Sequence, residues 1–173
     1  MKKLAVLLAL VAGVVFAGKV MAEPLTAAMC KEKAIAAAKL IEAEGVAAFE
    51  KIKDPNGEFM FGDGEGYIWI HDSDNTMIMH PKKPSLDGNP IADMRDINGK
   101  NFFINMTEIA MEKGAGWVSY AWPKPGKQDS SPKVSYVVKA VSGDKTYIAG
   151  SGIYDVTKDD IKKQFPGDAT DED

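Results

Sequence analysis

The chain has 173 residues, 45% of them apolar and 27% charged, with a formal net charge of −4, two histidines and one cysteine. That length suits one domain with its own core, and an acidic balance with a single arginine, Arg95, argues against nucleic acid or an anionic lipid surface as partner. One cysteine excludes an intrachain disulfide, and with two histidines it assembles neither a zinc site nor a haem attachment sequence, so no metal or cofactor is expected.

Lys2 and Lys3 precede an apolar run from Leu4 to Ala17, and Val20-Met21-Ala22 stands before Glu23-Pro24. This pattern predicts a secretory signal peptide over residues 1–22, cut after Ala22, and therefore a periplasmic protein. The alternative is an uncleaved anchor in the inner membrane, because Leu4 to Val20 is long enough to span a bilayer. Cleavage would remove Lys2, Lys3 and Lys19 and no acid, taking the net charge from −4 to −7.

After Pro24, apolar residues recur at Met29, Ile35, Ala38, Ile41, Ala48, Phe49 and Ile52, which predicts a long amphipathic helix interrupted at Gly45 and ended by Asp54-Pro55-Asn56-Gly57. Tyr67 to His71 and Thr76 to His80 read as an antiparallel hairpin across Asp72-Ser73-Asp74-Asn75. A long irregular segment, Pro81 to Asn98, follows, of the kind that more often serves function than connection. Asn101 to Lys113 reads as a helix closed by Gly114. Three strands come next, Trp117 to Trp122, Lys133 to Val141 and Lys145 to Tyr154, the last two joined by the tight turn Ser142-Gly143-Asp144. Thr157 caps a final helix, Lys158 to Phe165, and residues 167–173 read as a solvated acidic tail. The order implies one α+β domain over residues 23–166, a central antiparallel sheet with a helix packed along it.

Taken in sequence, Asp54-Pro55-Asn56-Gly57, Tyr67-Ile68-Trp69-Ile70, Met79-His80-Pro81 with Pro84 and Leu86-Asp87-Gly88, Asp96-Ile97-Asn98-Gly99-Lys100, Gly114 to Gly126, Lys133-Val134-Ser135-Tyr136-Val137 and Ile148 to Tyr154 resemble the single Cache domain (type 2) of bacterial extracytoplasmic sensing proteins. The resemblance covers nearly all of the chain after residue 22. It implies a PAS-like antiparallel sheet with a long N-terminal helix, and a pocket over one sheet face for a short organic acid such as acetate, propionate, lactate or pyruvate. It also implies a sensing role without chemistry and a chemoreceptor or membrane sensor kinase as partner; the long helix, for its part, offers a surface through which a homodimer could pair. Receptors of this kind continue into a transmembrane helix and a signalling module, and with an acidic tail in that place this chain is expected to act without an output module of its own.

The ligand-binding candidates are Tyr120, Trp122, Lys133, Tyr136, His80, Arg95 and Trp69. A carboxylate buried under aromatic rings needs a cation and hydroxyl donors to offset its desolvation. Tyr120 and Trp122 share one strand face, which also suits ordinary core. Lys133 and Tyr136 fall on opposite faces unless a bulge intervenes. His80 stands at the mouth of the irregular segment, as a ligand donor or as a residue fixing loop backbone. Arg95 is either a bidentate carboxylate partner or the partner of Asp93 and Asp96. Tyr67 and Trp69 share a face and either line the pocket or pack beneath the long helix, with core the preferred place. Gly150-Ser151-Gly152 is read as a strand glycine pair that admits close packing. Two rival readings stand beside the sensing role: an interaction subunit whose empty Cache-like domain docks on a membrane sensor or a redox partner, and, less favoured, an enzyme acting on a small acid through His80, disfavoured because no nucleophile and base are paired in the sequence.

Overall fold

A computed structural model describes residues 23–171. The expected signal peptide, residues 1–22, lies outside them. Helix α1 spans Ala27–Glu44, opened by the Thr26 hydroxyl accepting the Met29 N–H at 3.1 Å. It stops where Gly45, at φ 63°, donates its N–H back to Ile41. Helix α2, Ala47–Lys53, completes the apolar period read from the sequence. Cys30, Ala34, Ala37, Ala38 and Ile41 make a stripe of mostly small side chains, which brings α1 close against the sheet. Burial pushes the Cys30 thiol up to about 11, so it behaves as an inert apolar group.

A small hairpin, β1 (Met60–Phe61) and β2 (Gly66–Tyr67), precedes β3 (Trp69–Asp72) and β4 (Met77–Met79). After a 3-10 turn at Pro84–Leu86 come α3 (Phe102–Lys113), β5 (Ala115–Pro123), β6 (Ser130–Ser142), β7 (Lys145–Tyr154) and α4 (Lys158–Gln164). Five strands form one antiparallel sheet in the order β4-β3-β7-β6-β5. Helix α1 covers one face, over Trp117, Val134, Tyr136, Ala140 and Ala149. The other face carries Trp69, Val118, Tyr120, Trp122, Val137 and Tyr154, packed against Phe102, Phe103, Met106 and Ile91.

Two expectations are corrected here. Tyr67 and Trp69 do not lie beneath the long helix: alternation puts them on the face opposite α1, with α3 and the irregular segment. Nor is the chain after Pro166 a solvated tail as far as Asp171. The Trp117 N–H donates to Ala169 O at 2.9 Å, the Asp171 N–H donates to Trp117 O at 2.9 Å, and the Asp168 carboxylate binds Lys31 and the Trp117 indole N–H. The cause is the free edge of β5. Its outward N–H groups at 117, 119 and 121 are taken by Ala169 O, the Asp171 carboxylate and the Asp96 carboxylate, which blunts an edge that would otherwise invite another strand. Because Asp171 is buried and bonded to Lys100, Asp171→Ala is expected to lower stability by about 1–3 kcal/mol. An unchanged urea midpoint would show the segment undocked in solution.

Candidate functional site

Strand register builds the site. The β5–β6 ladder sets Tyr120 opposite Lys133, and the β6–β7 ladder sets Lys133 opposite Tyr154, so the lysine stands between two tyrosines on one face. Both ladders run without a shift through Lys133 and Tyr136. No bulge rescues the pair, and the two residues stay on opposite faces.

The floor is glycine. A Cβ on Gly152 would lie 1.9 Å from Ser135 Oγ and 2.8 Å from Lys133 Cε, and one on Gly150 would lie 2.2 Å from the Trp69 ring. The lysine stem and the indole therefore lie flat across β7, where any larger residue would lift them. Gly152→Ala is expected to displace Lys133 and weaken any ligand held by it. Unchanged ligand affinity in a calorimetric titration of that variant would count against the placement.

Lys133 is 1% exposed. Its ammonium donates to the Tyr67 hydroxyl at 3.0 Å and sits 4.6, 4.7, 5.3 and 6.0 Å from the ring centroids of Tyr154, Tyr67, Trp69 and Tyr120. Tyr120 and Ser135 hydroxyls share a hydrogen bond of 2.9 Å, and Phe102 stacks on Tyr120 at 4.6 Å. The His80 ring packs against the same cluster, 5.3 Å from Tyr67, 6.3 Å from Trp122 and 6.4 Å from Trp69. Among the described residues no carboxylate pairs with Lys133, and the Trp69 indole N–H is buried without a hydrogen-bond partner.

Electrostatics follow from that enclosure. Burial works against the Lys133 ammonium, while the charge pull of Tyr120, Tyr67 and Tyr154 raises its pKa, so the lysine is charged; that pull belongs to the ionised tyrosines, and at neutral pH their hydroxyls offset the burial only as dipoles. Burial would likewise raise the Tyr67 hydroxyl, yet the ammonium in contact with it draws its pKa down. Tyr120 and Tyr154 are both raised, first by burial. Burial, helped by Lys133, lowers His80 to about 3. Its Nδ1 accepts the Lys83 N–H at 3.1 Å, so the neutral ring carries its hydrogen on Nε2.

Five of the seven candidates, Tyr120, Trp122, Lys133, His80 and Trp69, thus meet in one buried cluster. Tyr136 lies under α1 instead, its ring 4.9 Å from Trp117 and 5.3 Å from the Lys31 ammonium. Arg95 is exposed and donates to Gly99 O at 2.8 Å, away from the rings. Tyr154, Phe102 and Lys83 are members that the sequence reading missed. Tyr154 carried a signal, since the tight turn at Gly143-Asp144 fixes the register that sets it beside Lys133.

Residues 29–165 match the family model described as Cache domain. The chain belongs to that family. It is 38% identical over 103 residues, 60% of this chain, to the methyl-accepting chemotaxis protein McpP of Pseudomonas putida, and 31% identical over 91 residues, 52% of this chain, to the sensor histidine kinase MctS of Rhizobium johnstonii. The matches span 18% and 19% of those relatives' lengths. Among solved structures it superposes with TM-score 0.62 and 31% identity on a Cache chemosensory domain studied for carboxylic acid recognition, over 73% of this chain and 91% of that one. This Cache domain is accordingly a mixed fold of antiparallel sheet and N-terminal helix of the kind that serves extracytoplasmic sensing in chemoreceptors and sensor kinases.

Proposed function

We propose that this Cache domain is exported to the periplasm and binds a short-chain carboxylate at the aromatic cluster around Lys133, without chemistry, on behalf of a membrane chemoreceptor or sensor kinase. The observation that carries the reading is a fully buried ammonium with no carboxylate partner among the described residues. A charge so placed is costly unless an anion arrives, and the orphaned Trp69 N–H and the Tyr67 hydroxyl are suited to the oxygens of a carboxylate. The solved relative concerned with carboxylic acid recognition supports the same ligand class. His80 supports binding better than catalysis, because its Nδ1 is occupied by a backbone N–H and its pKa near 3 makes it a weak base.

An acid of about four to six heavy atoms gains at most about −1.5 kcal/mol per atom, so affinities of about micromolar are the strongest to expect. Calorimetry of the purified protein with acetate, propionate, lactate and pyruvate tests this. Heat from none of them, with the fold intact by circular dichroism, would overturn the ligand class. The outer face of α1, with Glu32, Lys39 and Glu42 exposed, is where a homodimer through this helix would form, and sedimentation at several concentrations would reveal it.

A further inference from the structure

Three partly buried lysines of the fold are matched with acids: Lys31 with Asp168, Lys100 with Asp171 and Lys124 with Asp155. Lys83 breaks that pattern in the same way as Lys133, having no carboxylate partner among the described residues. Its place is fixed by backbone. The Lys83 N–H donates to both O and Nδ1 of His80 at 3.1 Å, while the His80 N–H donates to the Asp87 carboxylate at 2.8 Å. This tight turn draws Lys83 inward, half-buried, with Nζ 4.1 Å from the Trp122 ring centroid, whereas its neighbour Lys82 is exposed.

Lys83 also senses the cluster. Burial lowers its pKa, Tyr67 opposes that, and Lys133 adds to it. Two cations thus stand at one cluster of aromatic rings with no carboxylate paired to either among the described residues. A single carboxylate compensates one of them, and a ligand with two carboxylates compensates both. Trp122, already under the Lys83 ammonium, lies 6.3 Å from the His80 ring, which packs on the Tyr67 ring beside Lys133, so both charges border the same aromatic cluster.

We propose that Lys83 is a specificity-determining residue that selects ligands carrying two carboxylates, one held by Lys133 and Tyr67 and the other by Lys83 at the Trp122 rim. The inference rests on the carboxylate reading above. Propionate and succinate differ by one carboxylate and are the probes, titrated by calorimetry against the purified protein and its Lys83→Gln and Lys82→Gln variants. A charge-assisted contact at a partly buried rim predicts that succinate binds about tenfold more tightly than propionate. Lys83→Gln is expected to weaken succinate about tenfold and propionate by less than about twofold, and Lys82→Gln, which removes the same charge from the exposed neighbour, is expected to keep the preference. Equal affinity for the two acids in the unsubstituted protein, equal losses in Lys83→Gln, or loss of the preference in Lys82→Gln would each overturn the role of Lys83 while leaving the carboxylate reading standing. Binding of neither acid would overturn the carboxylate reading itself.

Discussion

Lys133→Met is expected to abolish carboxylate binding and, in the same protein, to raise the melting temperature of the unliganded state. The two effects share one cause. Burying an ammonium costs several kcal/mol, and here the return is one hydrogen bond to Tyr67 and contacts with four rings. An apolar side chain of similar volume keeps the packing and removes the desolvation cost, while the Tyr67 hydroxyl loses its partner at a cost of about 1 kcal/mol. A net gain of about 1–2 kcal/mol, or about 2–8 °C, is the expected balance. Lys133→Ala removes the charge as well but leaves a void above Gly152, so it should lose binding and stability together. Retained binding in Lys133→Met would remove Lys133 from the site. A fall in melting temperature as large as that of the alanine variant would show that the ammonium is better compensated than its surroundings suggest.

The sequence declares one half of this site more clearly than the other. Tyr120 and Trp122 are placed on one face by alternation along a single strand, and Lys133 by its opposition to them across the next, since neither step needs contacts distant in the fold. The conflict between Lys133 and Tyr136 could likewise be read from strand period, and the unbroken ladders settle it in favour of the lysine. Tyr67 and Trp69 were harder. Their shared face is evident, but which face of the sheet α1 covers depends on how β3 inserts beside β7, an interaction between segments some eighty residues apart. Lys83 was illegible because a lysine in a Pro-rich loop reads as solvated, and only the turn closed on His80 Nδ1 brings it against Trp122. The docking of Asp168 to Asp171 was hidden for a related reason. Acidic residues near a terminus look solvated by composition, whereas the free edge of β5, which needs acceptors for its N–H groups, is a property of the assembled sheet.

Both histidines make the fold sensitive to acid. His71 is fully buried on the same sheet face as the cluster, its Nε2 3.2 Å from the Thr107 hydroxyl, which in turn donates to Asn75 at 2.7 Å. Nε2 must therefore carry the hydrogen, leaving Nδ1 a buried acceptor without a partner, and burial lowers the ring to about 3. His80 is lowered to about 3 as well, by burial and then by Lys133. A base with a folded pKa below its unfolded value binds fewer protons when folded. Its contribution is intact above the unfolded value near 6.5 and drains away as pH falls toward 3. At pH 4.5 each ring has lost about two pH units of linkage, or about 2.7 kcal/mol, so the pair costs about 5 kcal/mol, a large part of a typical domain's stability. Asp96, whose carboxylate is held low by the N–H groups of Lys100, Ala121 and Asn98 against the burial that would raise it, works in the same direction at lower pH. Urea denaturation at pH 7.5 and 4.5 should show this loss. His71→Gln, which has no ring to protonate, should recover about half of it while starting from a lower stability at pH 7.5. A stability that is flat between these two values of pH would mean that both rings take up protons without leaving the folded state, and their surroundings would then have to admit water.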